Sequence, residues 1–507
     1  MFLIKSSTQK STATEKHLPR WFDILWLLVL SAYILAGISL VPLHGDESTQ
    51  TYMARDFYTL FVERDLSQLS YGAWDTLDGQ AATEQDLRLK DGVLHRYLFG
   101  AAASMGGYTV DDLNEQWVWG AGWDWNHQNG HVPRDDLLFR ARYVSAAMLA
   151  IGMMTLFAIA NKIGGRLTAY IATLLYATSP ALLLNGRRAM MEGAMTLFSL
   201  LVVLAGLWVV QSRKWWTFAL LGLFSGLAVA SKHTSVVTVA AVFVACGLVI
   251  IYPYLQEKSH SLTDGITQFS ALVPQTPPPN PLPEFKEGES FSPEFGGDVA
   301  SATEGVETPY YLKDYDSIIK QLLYLIMAGI LSLTVFYGLN PAWWSNPVAR
   351  AKEVSAIRLD FMQAQQDTFG GYESFTDRLN GFFWQTFGMQ NMVAETDIDN
   401  FIDNLSDETA TYEASLFSGF INGGFVVMPL AFLGLSLLGG IALWLDTRTH
   451  AELRFVIAVW VVAMIILTLF LTPLEWQRYY LPVYPPVMLL SGLGVRYLIH
   501  RVRHLIT

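Results

Sequence analysis

Cysteine is almost absent from this sequence, because the 507 residues contain only Cys246 and no disulfide can form within the chain. Charge is also scarce, since Asp, Glu, Lys and Arg together make up 15% of the residues. The formal net charge is −12, and no clustered basic face is present. Because binding of nucleic-acid phosphates needs such a face, these features exclude a nucleic-acid partner.

Several motifs of well-known enzyme classes are also missing. The sequence contains no Walker A loop, no GxSxG elbow and no HExxH pair, so the chemistry of those motifs has no support here. Asp124, His127 and His131 are candidate metal ligands, but their spacing matches no tight metal motif and no cysteine accompanies them. The sequence therefore requires no cofactor, and a divalent cation stays open as an alternative.

Long apolar runs are the main feature that the sequence does have. Hydrophobic residues make up 52% of the chain, and a helix needs roughly 20 mainly apolar residues to cross about 30 Å of hydrocarbon. We interpret ten runs as membrane-spanning helices: 22–42, 143–160, 167–184, 189–210, 215–230, 234–254, 318–339, 425–445, 455–471 and 480–499. The sequence therefore predicts an all-α integral membrane protein with about ten transmembrane helices.

The distribution of Lys and Arg in the short turns predicts the orientation. These residues favour cytoplasmic loops, and they recur in alternate turns, for example at Lys162 with Arg166 and at Arg213 with Lys214. Both termini are then cytoplasmic, the first apolar run is a retained signal anchor, and the expected location is the plasma membrane. The predicted divisions are a cytoplasmic tail 1–20, an N-terminal membrane module 21–254, a disordered Pro-rich cytoplasmic linker 255–317 and a C-terminal membrane module 318–507, with outer segments 43–142 and 340–421.

The first outer segment mixes charged residues with many aromatics and is predicted to be folded. Its stretch 94–105 is apolar but too short to span the membrane, which indicates an interfacial helix. The nearby Trp117, Trp119, Trp123 and Trp125 fit either an aromatic belt at the membrane interface or a surface on which sugars stack.

Charged residues gather at the predicted outer ends of the spans. Asp46 and Glu47 follow the first span, where they are either solvated loop residues or functional carboxylates. Arg188 and Glu192 lie four residues apart, a spacing that on a helix would allow a structural ion pair. The alternative is that Arg187 and Arg188, which break the positive-inside trend, bind an anionic ligand.

Two further turns place cations on the same predicted face. Lys232 and His233 lie between the fifth and sixth spans, where they either reach toward lipid phosphates or bind a ligand. Arg478 lies in the last outer turn, beside Tyr479 and Tyr480. Together with the arginines of the third-to-fourth turn, these residues predict an anion pocket near Asp46, in which Arg offers a planar fork to phosphate oxygens.

The order of these motifs resembles the GT-C glycosyltransferase superfamily, in particular bacterial relatives of protein O-mannosyltransferases and of the lipid A aminoarabinose transferase. The resemblance is carried by Asp46-Glu47 after the first span, by FRARYVSAAMLAIGMMTLFAIANKIGGR, by TSPALLLNGRRAMMEGAMTLF and by RYYLPVYPP. The sequence departs from the family where its third-to-fourth turn carries Glu192 as the acidic residue and where GHVPR replaces an HPP stretch. The WWDxG signature of oligosaccharyltransferase catalytic subunits is absent, which disfavours en bloc glycan transfer.

The resemblance implies a GT-C-like helical bundle that transfers a sugar, with inversion, from a polyprenyl-phosphate-linked donor to a hydroxyl acceptor. Asp46 would be the general base, and Glu47 would orient it or bind the sugar. The donor phosphate would be held by Arg142, Arg187, Arg188, Lys232 and Arg478, with Glu192, His233, Tyr479 and Tyr480 binding substrate or supporting these groups. The rival interpretation is a lipid-linked sugar transporter or flippase without covalent chemistry. In either case membrane lipids surround the bundle.

Overall fold

The computed structural model describes residues 19–272, 310–395, 401–420, 427–447 and 449–506. Within these ranges the secondary structure is helical and contains no strand. The helices of the first half are α1 (Arg20–Ala36), α2 (Gly45–Tyr52), α3 (Arg55–Phe57), α4 (Gly79–Lys90), α5 (Leu94–Met105), α6 (Trp123–Gln128), α7 (Asp135–Thr178), α8 (Pro180–Arg187), α9 (Glu192–Ser212), α10 (Trp215–Ser231) and α11 (Val236–Leu272). The helices of the second half are α12 (Tyr310–Leu339), α13 (Pro347–Phe369), α14 (Phe375–Phe383), α15 (Phe401–Asn404), α16 (Ser406–Ala414), α17 (Val427–Leu445), α18 (Ala451–Phe470) and α19 (Tyr484–Ile506).

Seven helical segments of the described chain are long and apolar enough to cross a membrane: Arg20–Leu40, Asp135–Thr178, Glu192–Ser212, His233–Gln256, Ser317–Leu339, Val427–Leu445 and Ala451–Phe470. The outward side of α12 shows why the bundle needs a lipid environment. Ile326, Ile330 and Leu333 share one helix face and are 59%, 50% and 56% exposed, an arrangement that water would disfavour and hydrocarbon accepts. The all-α, multi-pass membrane character of the prediction is confirmed.

Helix α7 contains two of the predicted spans. Gly165 interrupts it with a φ of 74°, a left-handed conformation that glycine adopts without strain, and this reverses the chain between two helical halves. The second half ends at Thr178, earlier than the predicted end at 184, because Ser179 caps a new helix whose first residue is Pro180. The two remaining predicted spans correspond to the shorter apolar helix α10 and to α19.

The core of the bundle forms around α7, which packs against α1, α9 and α19. Buried apolar side chains such as Met153, Tyr176 and Val203 fill this contact. Helices α17 and α19 approach so closely that a Cβ atom at Gly439 would lie 1.8 Å from the Leu490 carbonyl oxygen. Small residues at such contacts let helix backbones pack directly in a membrane.

The segments that connect the predicted modules lie partly outside the described residues. Helical backbone occupies 255–272 and 310–317, the two ends of the predicted linker, whereas its middle, 273–309, and the tail 1–18 lie outside the described residues. In the first outer segment α5 has the predicted bounds, Leu94–Met105. The described residues of the segment 340–421 include the helices α13, α14, α15 and α16. The disorder of the linker, the domain boundaries and the interfacial position of α5 stay predictions.

Candidate active site

Helix α2 places two neighbouring carboxylates at the start of a buried helix. His44 caps this helix, because its Nδ1 atom accepts a hydrogen bond from the Asp46 backbone N–H at 3.1 Å. Glu47 completes the cap by accepting from the His44 backbone N–H at 3.1 Å. Both carboxylates therefore lie in the first turn of α2, where the helix dipole favours negative charge.

Glu47 is fully enclosed and all of its hydrogen-bonding capacity is directed at protein groups. Its two carboxylate oxygens accept bonds from Arg142 Nε and Nη2, each at 2.7 Å, and Oε1 also accepts from the Ala189 backbone N–H at 2.7 Å. Burial alone would raise the pKa of Glu47, but the charge and hydrogen bonds of Arg142 outweigh it and lower that pKa below its usual value. Arg142 also donates from Nη1 to the Val41 carbonyl, and its pair with Glu47 ties the N-terminal part of α7 to α2.

Asp46 differs from its neighbour because its side chain is 28% exposed. It forms an ion pair with Arg478, which arrives from the turn before α19. Arg478 also lies 3.4 Å from Glu395, and Glu395 in turn accepts from His44 Nε2 at 3.0 Å. The four groups form a chain of contacts, His44–Glu395–Arg478–Asp46, of which Asp46 is the most exposed member.

Negative and positive side chains alternate along this series of contacts, and the pKa shifts follow from that alternation. Burial would raise the pKa of Glu395, but Arg478 and His44 outweigh it and hold that pKa well below the usual range. Burial would likewise lower the pKa of Arg478, but Glu395 and Asp46 outweigh it and raise that pKa. Both groups are thus held in their charged forms.

The two arginines between α8 and α9 have different surroundings. Arg187 donates to the backbone carbonyls of Tyr33, Ile34 and Phe417, so it satisfies the end of α1. Arg188 donates to the Val393 carbonyl at 2.6 Å and more weakly to Pro42, while its Nη1 atom is buried and makes no hydrogen bond to any described residue. Arg188 therefore keeps donor capacity for a ligand, whereas the Arg187 guanidinium is committed to backbone oxygens.

The hypothesis of a structural ion pair between Arg188 and Glu192 is wrong. Glu192 instead binds Lys232 Nζ at 2.9 Å. Helix α8 ends at Arg187 and α9 begins at Glu192, so no helical turn connects the two residues and the four-residue spacing does not bring them onto one face. Glu192 Oε2 is buried without a hydrogen-bond partner among the described residues, and its charge acts on Arg478.

The remaining predicted site residues, Tyr479, Tyr480 and His233, lie at the same end of the bundle. Among the described residues, no hydrogen bond joins them to Asp46 or Glu47. Tyr479 donates to Gln365 at 3.1 Å, and Tyr480 is buried and shares a hydrogen bond with Tyr372. The His233 ring lies edge-on to Trp343, with 5.6 Å between ring centroids. The tyrosines therefore anchor the turn that carries Arg478, and His233 packs beside the same group of loops.

A second polar cluster, which the sequence alone did not indicate, lies one turn further along α2. Gln50 donates to Asp91 at 3.2 Å and contacts His95 Nε2 at 2.6 Å. Arg358 donates to the other oxygen of Asp91 at 3.2 Å. Burial, followed by the charge of Arg96, lowers the pKa of His95 to about 3, which keeps its ring neutral.

Two members of the first contact chain were also missed by the sequence interpretation. His44 directly precedes the two carboxylates, so its position next to Asp46-Glu47 was an available signal. Glu395 comes from the segment 340–421, and no local sequence pattern marks it. For a metal, the described part of the chain holds no group of three or more His, Cys, Asp or Glu side chains that could bind one.

Comparison with known proteins connects part of this site with a family. Residues 134–274 match the family described as dolichyl-phosphate-mannose-protein mannosyltransferase, and this segment carries Arg142, Arg187, Arg188, Glu192 and Lys232. The resemblance to GT-C glycosyltransferases is confirmed. Asp46 and Arg478 lie outside the matched segment, and no curated protein sequence matches the chain.

Comparison with solved structures gives matches of low sequence identity and low TM-score. ArnT from Cupriavidus metallidurans bound to undecaprenyl phosphate has 10% sequence identity and a TM-score of 0.44, with 94% of this chain and 60% of that chain covered. The Archaeoglobus fulgidus oligosaccharyltransferase in the apo form has 10% identity, a TM-score of 0.45 and coverages of 96% and 52%. The AglB oligosaccharyltransferase from the same organism, in complex with an inhibitory peptide and a dolichol-phosphate, has 14% identity, a TM-score of 0.39 and coverages of 96% and 52%. The chain thus spans about half to three fifths of the length of these proteins.

Proposed function

We propose that this protein is an inverting glycosyltransferase that moves a sugar from a polyprenyl-phosphate-linked donor to an acceptor hydroxyl at the outer face of the plasma membrane. The observation that carries the proposal is the contact between Asp46, a partly exposed carboxylate, and Arg478. In this proposal Asp46 is a base and Arg478 a phosphate-binding cation, and the two lie side by side at one end of the bundle. The description of the matched family, which names a lipid-phosphate sugar, supports this donor class.

In the proposed reaction Asp46 is the general base. Its carboxylate removes the proton of the acceptor hydroxyl while the hydroxyl oxygen attacks the anomeric carbon from the side opposite the phosphate. The bond between the anomeric carbon and the phosphate oxygen breaks, its electron pair stays on that oxygen, and polyprenyl phosphate leaves. The new glycosidic bond has the inverted configuration.

Arg478 has two tasks in this proposal, because an anionic donor competes with Asp46 for its guanidinium. Binding of the donor phosphate draws Arg478 toward the phosphate oxygens and leaves the Asp46 carboxylate able to accept a proton. The cation then stabilises the negative charge that grows on the leaving phosphate. Glu395 contacts the Nε side of Arg478, which keeps the guanidinium near the site in both arrangements.

The other predicted phosphate ligands divide according to their surroundings. Arg188, with an Nη1 atom that no described residue binds, and Lys232, beside the half-satisfied Glu192, are proposed to contact the donor together with Arg478. Glu47, Arg142 and Arg187 are proposed to be positioning residues, because their hydrogen bonds are used within the protein. Replacement of a positioning residue should therefore affect stability as well as turnover.

The direct test is sugar transfer by the purified full-length protein. Synthetic polyprenyl-phosphate sugars with a radiolabelled sugar are incubated with wild type, with Asp46→Asn and with the control Asp111→Asn, an exposed carboxylate of the first outer segment. Loss of a general base should lower turnover by about 100-fold or more in Asp46→Asn. Thermal stability should change little, donor binding should be retained or tighter because the donor no longer competes with the Asp46 charge for Arg478, and the control should match wild type.

Each outcome separates the reaction from its rivals. Transfer, or slow donor hydrolysis, that disappears only in Asp46→Asn supports the reaction and its base. Turnover by Asp46→Asn at the wild-type rate would remove Asp46 from that role. Donor binding by all three proteins without cleavage of any donor would favour transport of a lipid-linked sugar.

A further inference from the structure

A cavity lies at the end of the bundle remote from Asp46. Its volume is about 790 Å³, and it is lined by Gly165 at the break in α7, by the connection between α17 and α18, and by the last turns of α19. The first half of α7 separates the two sites, since Arg142 and Gly164 are 22 positions apart on it, about 33 Å at 1.5 Å per residue. The cavity therefore belongs to a different face from the proposed active site.

The lining of this cavity is strongly cationic. Among the described residues, the charged side chains that line it are one carboxylate, Asp446, and the arginines Arg166, Arg454, Arg496, Arg501 and Arg503. Asp446 lies 3.0 Å from Arg496, and Arg166 is paired at 2.7 Å with Asp23, which lies outside the cavity. The described residues provide no ion pair for Arg454 or Arg501, so a net positive charge faces the cavity.

The hydrogen bonds of these two arginines leave donors for a ligand. Arg454 uses Nη1 on the Leu443 and Trp444 carbonyls at the end of α17, and its buried Nε makes no bond to any described residue. Arg501 donates from Nε to the hydroxyl of Tyr497 at 3.1 Å. The N–H groups at the start of the second half of α7, next to Gly165, add further partial positive charge.

Between the arginines, part of the cavity wall is apolar and faces outward. Leu167, Leu445 and Ile499 line the cavity and are 38%, 59% and 36% exposed. A cavity with arginine donors and an open apolar rim suits an amphiphilic anion better than a small ion. The arginines of such a cavity can bind an anionic group, and its apolar rim can contact a hydrocarbon chain.

We propose that this cavity binds the phosphate headgroup of an anionic membrane glycerophospholipid. Arg454 and Arg501 donate to the phosphate oxygens, and the apolar rim packs against the first part of an acyl chain. The site lies on the face opposite to that of the proposed sugar transfer, and the proposal does not depend on the activity of Asp46. It assigns a function to arginines that would otherwise serve only to set the orientation of the chain.

Native mass spectrometry on the full-length protein in a neutral detergent tests this proposal. Dioleoyl phosphatidylglycerol and dioleoyl phosphatidylcholine are titrated separately, and inorganic phosphate is tested in a parallel thermal-shift series. The variant is Arg501→Gln, since the hydrogen bond that the structure gives this exposed side chain is to Tyr497, and the control is Arg213→Gln, an exposed cation at the same end of the bundle but outside the cavity. A second variant combines Arg501→Gln with Arg454→Gln.

The expected result is a preference for the anionic lipid in wild type, with affinity reduced about fivefold in Arg501→Gln and further in the double variant. The control should bind like wild type, and wild type, Arg501→Gln and the control should share one thermal midpoint before lipid is added. Equal binding of both lipids would overturn the proposal, as would an equal loss in Arg213→Gln. Stabilisation by inorganic phosphate without a lipid preference would show a free-phosphate site and would also overturn it.

Discussion

Glu47 and Arg142 form a buried bidentate pair, with two hydrogen bonds of 2.7 Å joining residues that are 95 positions apart. The adjacent carboxylate, Asp46, is partly exposed and bound at one side by Arg478. Two consecutive acidic residues therefore have different surroundings: one is closed off within the protein and the other can meet a substrate. This difference separates a positioning carboxylate from the proposed base.

Glu47→Gln should destabilise the protein markedly. The substitution leaves Arg142 buried without its counter-charge, which costs about 3 kcal/mol or more of unfolding free energy. The thermal midpoint in detergent should fall well below that of wild type. The matched control is Glu63→Gln, at an exposed position, which should retain the wild-type midpoint. Equal midpoints for the two variants would show that the buried pair does not stabilise the fold.

Arg478→Ala should weaken donor binding about tenfold, because a charge-assisted bond to the donor phosphate is lost. Donor affinity is measured by titration with a non-cleaved polyprenyl-phosphate sugar analogue. Arg134→Ala removes an exposed cation from the first outer segment and should bind donor like wild type. An unchanged affinity in Arg478→Ala would exclude this arginine as a phosphate ligand.

His44→Ala should reduce kcat about tenfold or more while leaving the donor affinity within about twofold of wild type, since a small displacement of a catalytic group is costly. The ring of His44 caps α2 next to Asp46 and binds Glu395, so it positions the proposed base without touching the donor. His44→Asn retains an acceptor for the cap and should recover part of kcat. A loss confined to donor affinity would contradict this role.

The contribution of Asp91 to stability should disappear in acid. Burial would raise the pKa of Asp91, but Arg358, Arg96 and Lys90 outweigh it and lower that pKa from 3.8 to about 2. Because the folded-state pKa is depressed, the stabilisation is present above pH 3.8 and is lost as the pH falls toward 2. Its size at neutral pH is on the order of 2 kcal/mol.

The measurement is the difference in thermal midpoint between wild type and Asp91→Asn from pH 7 to about pH 3. This difference should be constant near neutral pH and shrink below about pH 4. Asp124→Asn, at an exposed position, provides the comparison. A difference that grows with acidification would reverse the sign of the expected linkage.

Much of the helical framework could be predicted from local sequence, because a long apolar run has few alternatives to a buried or membrane helix. The bounds of α5 and the division of the bundle into apolar helices followed from this rule. The position of Asp46-Glu47 directly after the first span also followed from sequence order. The end of α7 at Thr178 was not predicted, because an apolar run does not show where a new capped helix begins within it.

What the sequence by itself determined was therefore the set of helices and the presence of Asp46, Arg188, Lys232 and Arg478 near their ends. Only the tertiary structure decided which charges pair. Arg478 meets Asp46 across 432 positions, Glu395 meets His44 across 351, and Glu192 binds Lys232 and not Arg188. The physical reason is that a helix is specified by neighbours within a few residues, whereas an ion pair depends on which loops the packing of the whole bundle brings together.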